Sequence, residues 1–263
     1  MSMNQELVDS VIGNTTTFVA PSGYQYTIRE QNGNDDDILS NPAEAESLTN
    51  IVKFIIAIVT ETDFTPTGKL TLESAMDMPI LDRYCILFKS RIFSIGKDLE
   101  FTHNWGEKLG IIEYSQNLED FLFNYEEEPT PEALAEKRNA IPYYPMGKKI
   151  KDIELHTTSG KSLKFDLLTP RGEAYIFNLP IDRRTKNQEL VARNLQVNVD
   201  GKWERVVNFT IFSSLDMREI RKAVSSIDPL FLGNTEITHP NSAELTKEIS
   251  ILGIPDFFFP EGI

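Results

Sequence analysis

The chain states one pattern twice. Residues 100–123 read EFTHNWGEKLGIIEYSQNLEDFLF, and residues 236–259 read EITHPNSAELTKEISILGIPDFFF. An ungapped offset of 136 sets Glu100 on Glu236, Thr102 on Thr238, His103 on His239, Leu109 on Leu245, Asp120 on Asp256, Phe121 on Phe257 and Phe123 on Phe259. Repetition at a fixed offset restricts the fold more than any local propensity does, because each copy must be able to form the same supersecondary unit. Two further landmarks keep nearly the same spacing: Ser22-Gly23 and Ser159-Gly160 lie 137 apart, and Leu81-Asp82 and Leu215-Asp216 lie 134 apart. Three regions matching in one order point to a tandem duplication, each copy closing on an apolar, aromatic strand.

The elements between these landmarks fit that plan. Thr15 to Arg29 alternates around Pro21-Ser22-Gly23 as a hairpin, with Tyr24, Tyr26 and Ile28 on one face. Asp35, Asp36 and Asp37 precede Ile38 and Leu39, as carboxylates do at the positive end of a short helix. Asn41, Pro42 and Glu44 open a second helix, in which Leu48, Ile51, Val52, Ile55, Ile58 and Val59 recur at helical steps. A further helix spans Leu81 to Ile95 and stops at Gly96. Residues 124–149, with Glu126-Glu127-Glu128, four prolines and a short helical stretch from Glu132 to Arg138, read as a connector. The second copy opens with a hairpin around Ser159-Gly160. Helices follow over Thr185 to Asn194 and from Leu215-Asp216 to Ile227, with an Asp200-Gly201 turn between them. The expected fold is α+β in two similar units, 1–124 and 150–263, joined by 125–149. Each unit has a hairpin, two main helices and a closing β-ribbon.

Charge narrows the partners. The net charge of −14 sits in the first half, where residues 1–130 carry 8 Lys and Arg against 22 Asp and Glu, while 131–263 carry 18 of each. Such a field disfavours a nucleic-acid backbone and suits solubility or a basic protein partner. The lone cysteine, Cys85, excludes an internal disulfide and fits a reducing compartment, where it reads as a small buried hydrophobe. MSMNQELVDS lacks the basic start and apolar core of a signal peptide, and the apolar run Ile51 to Val59 is far short of a bilayer span. A soluble, intracellular protein without membrane contact is expected.

Several motifs approach chemistry and stop short. His103-Asn104-Trp105-Gly106 and His239-Pro240-Asn241-Ser242 have the layout of zinc-ribbon knuckles, but each offers one histidine where a structural zinc needs four N or S ligands in all. Ser159-Gly160-Lys161-Ser162 looks like the end of a phosphate loop, yet Leu155 stands where the first glycine is required, so a hairpin turn is expected. Asp35 to Asp37 lack the alternation and central glycine of a calcium loop. No Gly-x-Ser-x-Gly elbow is present, and His156 has no partner that spacing assigns. Arg218, Arg221 and Lys222 form either a basic stripe or a solvated helix face. No catalytic residue, metal or cofactor is expected. The remaining feature is Phe257-Phe258-Phe259-Pro260, which either packs within its own unit or anchors a partner.

With these residues in view, the chain resembles a known family. Ser22-Gly23, Ile28-Arg29-Glu30-Gln31-Asn32-Gly33 and Asp36-Asp37-Ile38-Leu39-Ser40-Asn41 look like the opening of the baseplate hub assembly proteins of contractile-tailed bacteriophages, also described as tail or baseplate assembly chaperones. Asp82-Arg83-Tyr84, Arg91, Gly96 and the following hairpin resemble their middle segment, and Pro255 to Pro260 their ending. Cysteine pairs that many members carry at the two knuckles are replaced here by the His103 and His239 segments. The resemblance implies a non-enzymatic assembly factor of the host cytoplasm whose partners are phage tail or baseplate hub proteins. Candidate interaction residues are Asp35, Asp36, Asp37, Phe257, Phe258 and Phe259. A permanent baseplate or tail subunit of the virion, or an enzyme whose site is scattered along the chain, are the alternatives. The oligomeric state is left open.

Overall fold

The alternation of β-branched and aromatic residues from Thr15 to Arg29 produces β1 (Thr15–Val19) and β2 (Gln25–Arg29), paired antiparallel. In this computed structural model, which describes residues 13–45 and 49–259, the turn between them closes through Gly23 at φ +80°, a conformation open to glycine. Tyr26 and Ile28, two apart on one face, are fully buried. α1 (Gly33–Leu39), α2 (Pro42–Ala45) and α3 (Thr49–Ile58) follow, and β3 (Val59–Thr62) returns to pair with β2. The helix expected to run through Val59 therefore ends one residue earlier. Val59 opposes Ile28 in the sheet, because the free edge of β2 offers β-branched Val59, Thr60 and Thr62 a strand partner. The polar lead 1–12, Leu48 and Pro260 lie outside the described residues.

α4 (Leu72–Met76) and α5 (Ile80–Ser94) lead to a ribbon of β4 (Asp98–Asn104) and β5 (Ile111–Asn117) and a 3₁₀ turn, Leu118–Phe121. The connector holds α6 (Pro131–Glu136) and buries Ile141 and Tyr144. The second half forms β6 (Ile153–His156), β7 (Ser162–Phe165), α7 (Pro170–Phe177), α8 (Lys186–Ala192), β8 (Gln196–Val199) and β9 (Lys202–Arg205). It continues through α9 (Ser214–Ile227), a ribbon of β10 (Asn234–His239) and β11 (Ser242–Ser250), and 3₁₀ turns at Ile251–Gly253 and Pro255–Phe257. The architecture is α+β with antiparallel sheets, ordered β1-β2-β3 and β6-β7-β8-β9, plus two ribbons. In both halves a hairpin is followed by helices, a strand returning to the hairpin's second strand, a long helix, a ribbon and a 3₁₀ turn.

The aromatic endings are turns, not the strands expected. Pro255 has no N–H for a ladder and a φ suited to a helix start, while the Asn117 side chain accepts from the Glu119 N–H to begin the earlier turn. Both turns roll their first phenylalanine inward. Phe121 and Phe257 meet the same ring, Phe88 of α5, at centroid distances of 5.3 and 5.1 Å. The buried cluster is continuous through both halves. At the seam the Ile80 N–H donates to the Leu168 carbonyl at 2.9 Å and the Leu81 N–H to the Tyr144 hydroxyl at 3.2 Å. The Arg83 guanidinium grips Glu173 at 2.6 and 3.0 Å.

Candidate functional site

The three aspartates of α1 have different environments. Asn32 caps the helix, and Asp35 returns the bond by accepting from the Asn32 N–H at 2.8 Å. Arg29 from β2 then holds Asp35 with two bonds of 2.8 Å, and Asp35 is 1% exposed. Asp35 is therefore committed to the fold, which removes it from the expected docking residues. Asp36 and Asp37 face solvent. Partial burial, with the charges of Asp35 and Asp37 beside it, raises the Asp36 carboxyl above the ordinary range.

The closing aromatics divide in the same way. Phe257 is 1% exposed on Phe88, so it too belongs to the core. Phe258 is half-buried, its ring edge-on to Phe257 at 4.9 Å, and Phe259 is 40% exposed. Phe258 and Phe259 line a groove of about 400 Å³ together with Gln31, Asn32, Gly33, Asp36, Ser94 and Ile95. The fold thus brings Asp36 from near the start of the chain beside aromatics from its end. Asp37 does not line the groove.

The two knuckles also meet. Trp105 stands edge-on between His103 and His239, at centroid distances of 5.1 and 5.5 Å. Its indole donates to the Tyr114 hydroxyl at 2.9 Å, which donates to the Thr238 carbonyl at 3.1 Å. His239 accepts at Nδ1 from the Asn241 N–H, while its Nε2 points at the Leu109 carbonyl. Partial burial, then the nearby Lys247 charge, lowers the His103 imidazole from its usual value. Among the described residues no group of three or more His, Cys, Asp or Glu side chains is placed to hold a metal ion.

Other motifs resolve into structure. Ser159-Gly160 is the β6–β7 turn, with Gly160 at φ +85° and Lys161 Nζ 3.3 Å from Asp216. Cys85 is fully buried, and desolvation pushes its thiol up. The His156 ring is hydrogen-bonded to the Ser162 hydroxyl at 3.1 Å, and Arg221 is tied to Asn187 at 2.8 Å. Sequence reasoning missed a paired latch. In the first half Asp82, on the first turn of α5, accepts from the Ser22 N–H at 3.0 Å, the Ser22 hydroxyl at 2.5 Å and the Tyr26 hydroxyl at 3.1 Å. In the second half Asp216, on the first turn of α9, accepts from the Ser159 hydroxyl at 2.6 Å. The recurring Ser-Gly and Leu-Asp pairs were its available signal.

Comparison of the chain with protein-family models, curated proteins and solved structures gives no match.

Proposed function

We propose that this protein is a non-enzymatic assembly factor that binds tail or baseplate hub proteins of a contractile-tailed phage in the host cytoplasm. The observation carrying this reading is the groove that Asp36 lines together with Phe258 and Phe259. An aromatic anchor flanked by a carboxylate, on a half with excess negative charge, suits a partner surface that is basic around an apolar knob. The family resemblance of the opening and closing segments suggests the class of that partner, a tail or baseplate hub protein.

The two elements should separate kinetically. Charge raises the encounter rate over a Debye length of about 8 Å, whereas desolvated aromatic contact sets release. With an immobilised hub protein, Phe259→Ala should leave association unchanged and speed release, an aromatic anchor contributing about 2–4 kcal/mol. Asp36→Asn with Asp37→Asn should slow association and flatten its salt dependence. A folded Phe259→Ala variant with wild-type release would refute the groove as the docking site. Mass spectrometry should find the protein in infected-cell lysate and not in purified particles, and stoichiometric recovery from particles would instead make it a permanent subunit.

We also infer that the halves arose by duplication. Support comes from the shared element order, the Ser22–Asp82 and Ser159–Asp216 latches, and the convergence of Phe121 and Phe257 on Phe88. An experimental structure in which Asp82 and Asp216 fail to coincide when the hairpins are overlaid would remove this inference.

A further inference from the structure

Antiparallel ladders alternate between residues that exchange backbone bonds and residues whose N–H and C=O point away. In the β4–β5 ribbon the flanking bonds are Trp105 N–H to the Gly110 carbonyl and Leu118 N–H to the Lys97 carbonyl. The register between them pairs Phe101 with Tyr114 and Thr102 with Glu113. The alternation then turns the backbone groups of Asp98, Glu100, Thr102 and Asn104 away from β5. Among the described residues no strand pairs with β4 on that side and no backbone–backbone bond satisfies those four residues there, although the Pro255–Phe257 turn packs close to β4. A bare strand edge of this length pairs with other chains unless something blocks it.

Two openings adjoin β4. A cleft of about 770 Å³ runs past Phe101, Thr102 and His103 of β4 to Ile249 of β11, Ile254 and Phe259. A second opening, of about 450 Å³, joins the same strand at Glu100 and Thr102 with Glu113 and Asp256. The side chains of Asp98, Glu100 and Thr102 project to the solvent face of β4, while Leu99 and Phe101 are buried on the other. Phe259 lines both this cleft and the groove with Asp36.

We propose that an extended, basic segment of the partner adds to β4 as a third antiparallel strand. The proposal rests on the docking reading above and specifies its mode. A residue opposite Glu100 or Thr102 would exchange both backbone bonds with it and place its side chain on the same solvent face, where carboxylates favour lysine or arginine. The intervening residues would face Phe101, Ile254 and Phe259, which favours apolar side chains. The recognised pattern is therefore basic and apolar residues in alternation.

The probe is an acetylated nonapeptide of alternating lysine and valine, titrated by fluorescence anisotropy and by amide exchange. The wild-type protein should bind it, with exchange slowed at the amides of Glu100 and Thr102. The glutamate–valine counterpart should not bind. Methylating the peptide's lysine backbone nitrogens should weaken binding by about tenfold or more. Thr102→Pro should do the same while leaving the fold intact, since the N–H it removes faces away from β5. Glu100→Lys tests the charge if the proline variant does not fold. Absence of binding, unchanged Glu100 and Thr102 exchange, or N-methylated peptide binding within twofold of the parent would overturn the proposal. With a hub protein as ligand, equal capture by wild type and folded Thr102→Pro would remove strand addition and keep the docking reading. No capture by wild type would remove the docking reading.

Discussion

Asp82 and Asp216 occupy equivalent places and respond to pH in opposite senses. Asp82 is fully buried with three hydroxyl and amide donors, and desolvation outweighs those bonds, raising its carboxyl to about 7 from 3.8. The folded chain therefore holds a proton that the unfolded chain has already lost. The stability tied to that proton is complete below about pH 4 and is lost as pH rises through about 7, roughly 3–5 kcal/mol across the window. The hydrogen bonds of Asp216 from Ser159 and Ser213, with Lys161 beside it, hold that carboxyl below the usual range. Its contribution is present at neutral pH and is lost on acidification. Denaturant melts at pH 5 and pH 8 should show Asp82→Asn losing the stability advantage that wild type has at the lower pH. Parallel pH dependences in the two proteins would contradict this account. At the same scale, Asp35→Ala leaves the mostly buried Arg29 without its partner and should cost about 3–5 kcal/mol, whereas Asp36→Ala should stay within about 0.5 kcal/mol in the same melts. The sequence marked all three aspartates as one run. Which of them folds inward depended on Arg29 reaching across from β2, a contact that spacing does not encode.

At the level of elements, periodicity was a sufficient guide wherever one face is buried against one layer. The long helices α5 and α9, both N-terminal hairpins and the Asp200-Gly201 turn lie where their patterns put them. α7 went unread although Thr169 caps it, Pro170 opens it and Glu173 lies in its first turn, which is a legible start signal. The closing aromatics were legible as important and not as turns, because three consecutive apolar residues fit a strand and a rolled 3₁₀ turn equally well. Their separation into core and surface gives a direct test. Phe257→Ala empties a site packed on Phe88 and should destabilise the protein by about 3–5 kcal/mol, while Phe259→Ala should change stability by less than about 0.5 kcal/mol. Equal losses from the two substitutions would mean that Phe259 is also core and is unavailable to a partner.

On the scale of the whole molecule, the repeat argues for two units and the seam argues that they fold together. α5 belongs to the first half, yet its ring Phe88 touches Phe231 and Phe257 from the second, and Arg83 on the same helix pairs with Glu173 of α7. Arg171 adds a bond to Asp77 at 2.7 Å across the same seam. The connector contributes as well, since Tyr144 accepts from the Leu81 N–H and donates its own N–H to the Pro21 carbonyl at 3.1 Å. A second half produced alone would expose Phe231 and Phe257, lose the partners of Leu168 and Glu173, and present apolar area that a unit of its size cannot spare. Residues 150–263 by themselves should therefore lack a cooperative thermal transition and bind a hydrophobic dye. Co-expression with residues 1–149 should restore both the transition and a one-to-one complex. Arg83→Ala in the intact chain should shift melting in the same direction, by the equivalent of about 2–4 kcal/mol, because it leaves the half-buried Glu173 without its cation and with only the 3.4 Å Tyr84 hydroxyl contact. A cooperative melt of the isolated second half, within a few degrees of the full chain, would show instead that the two halves fold independently and that the seam contacts are incidental.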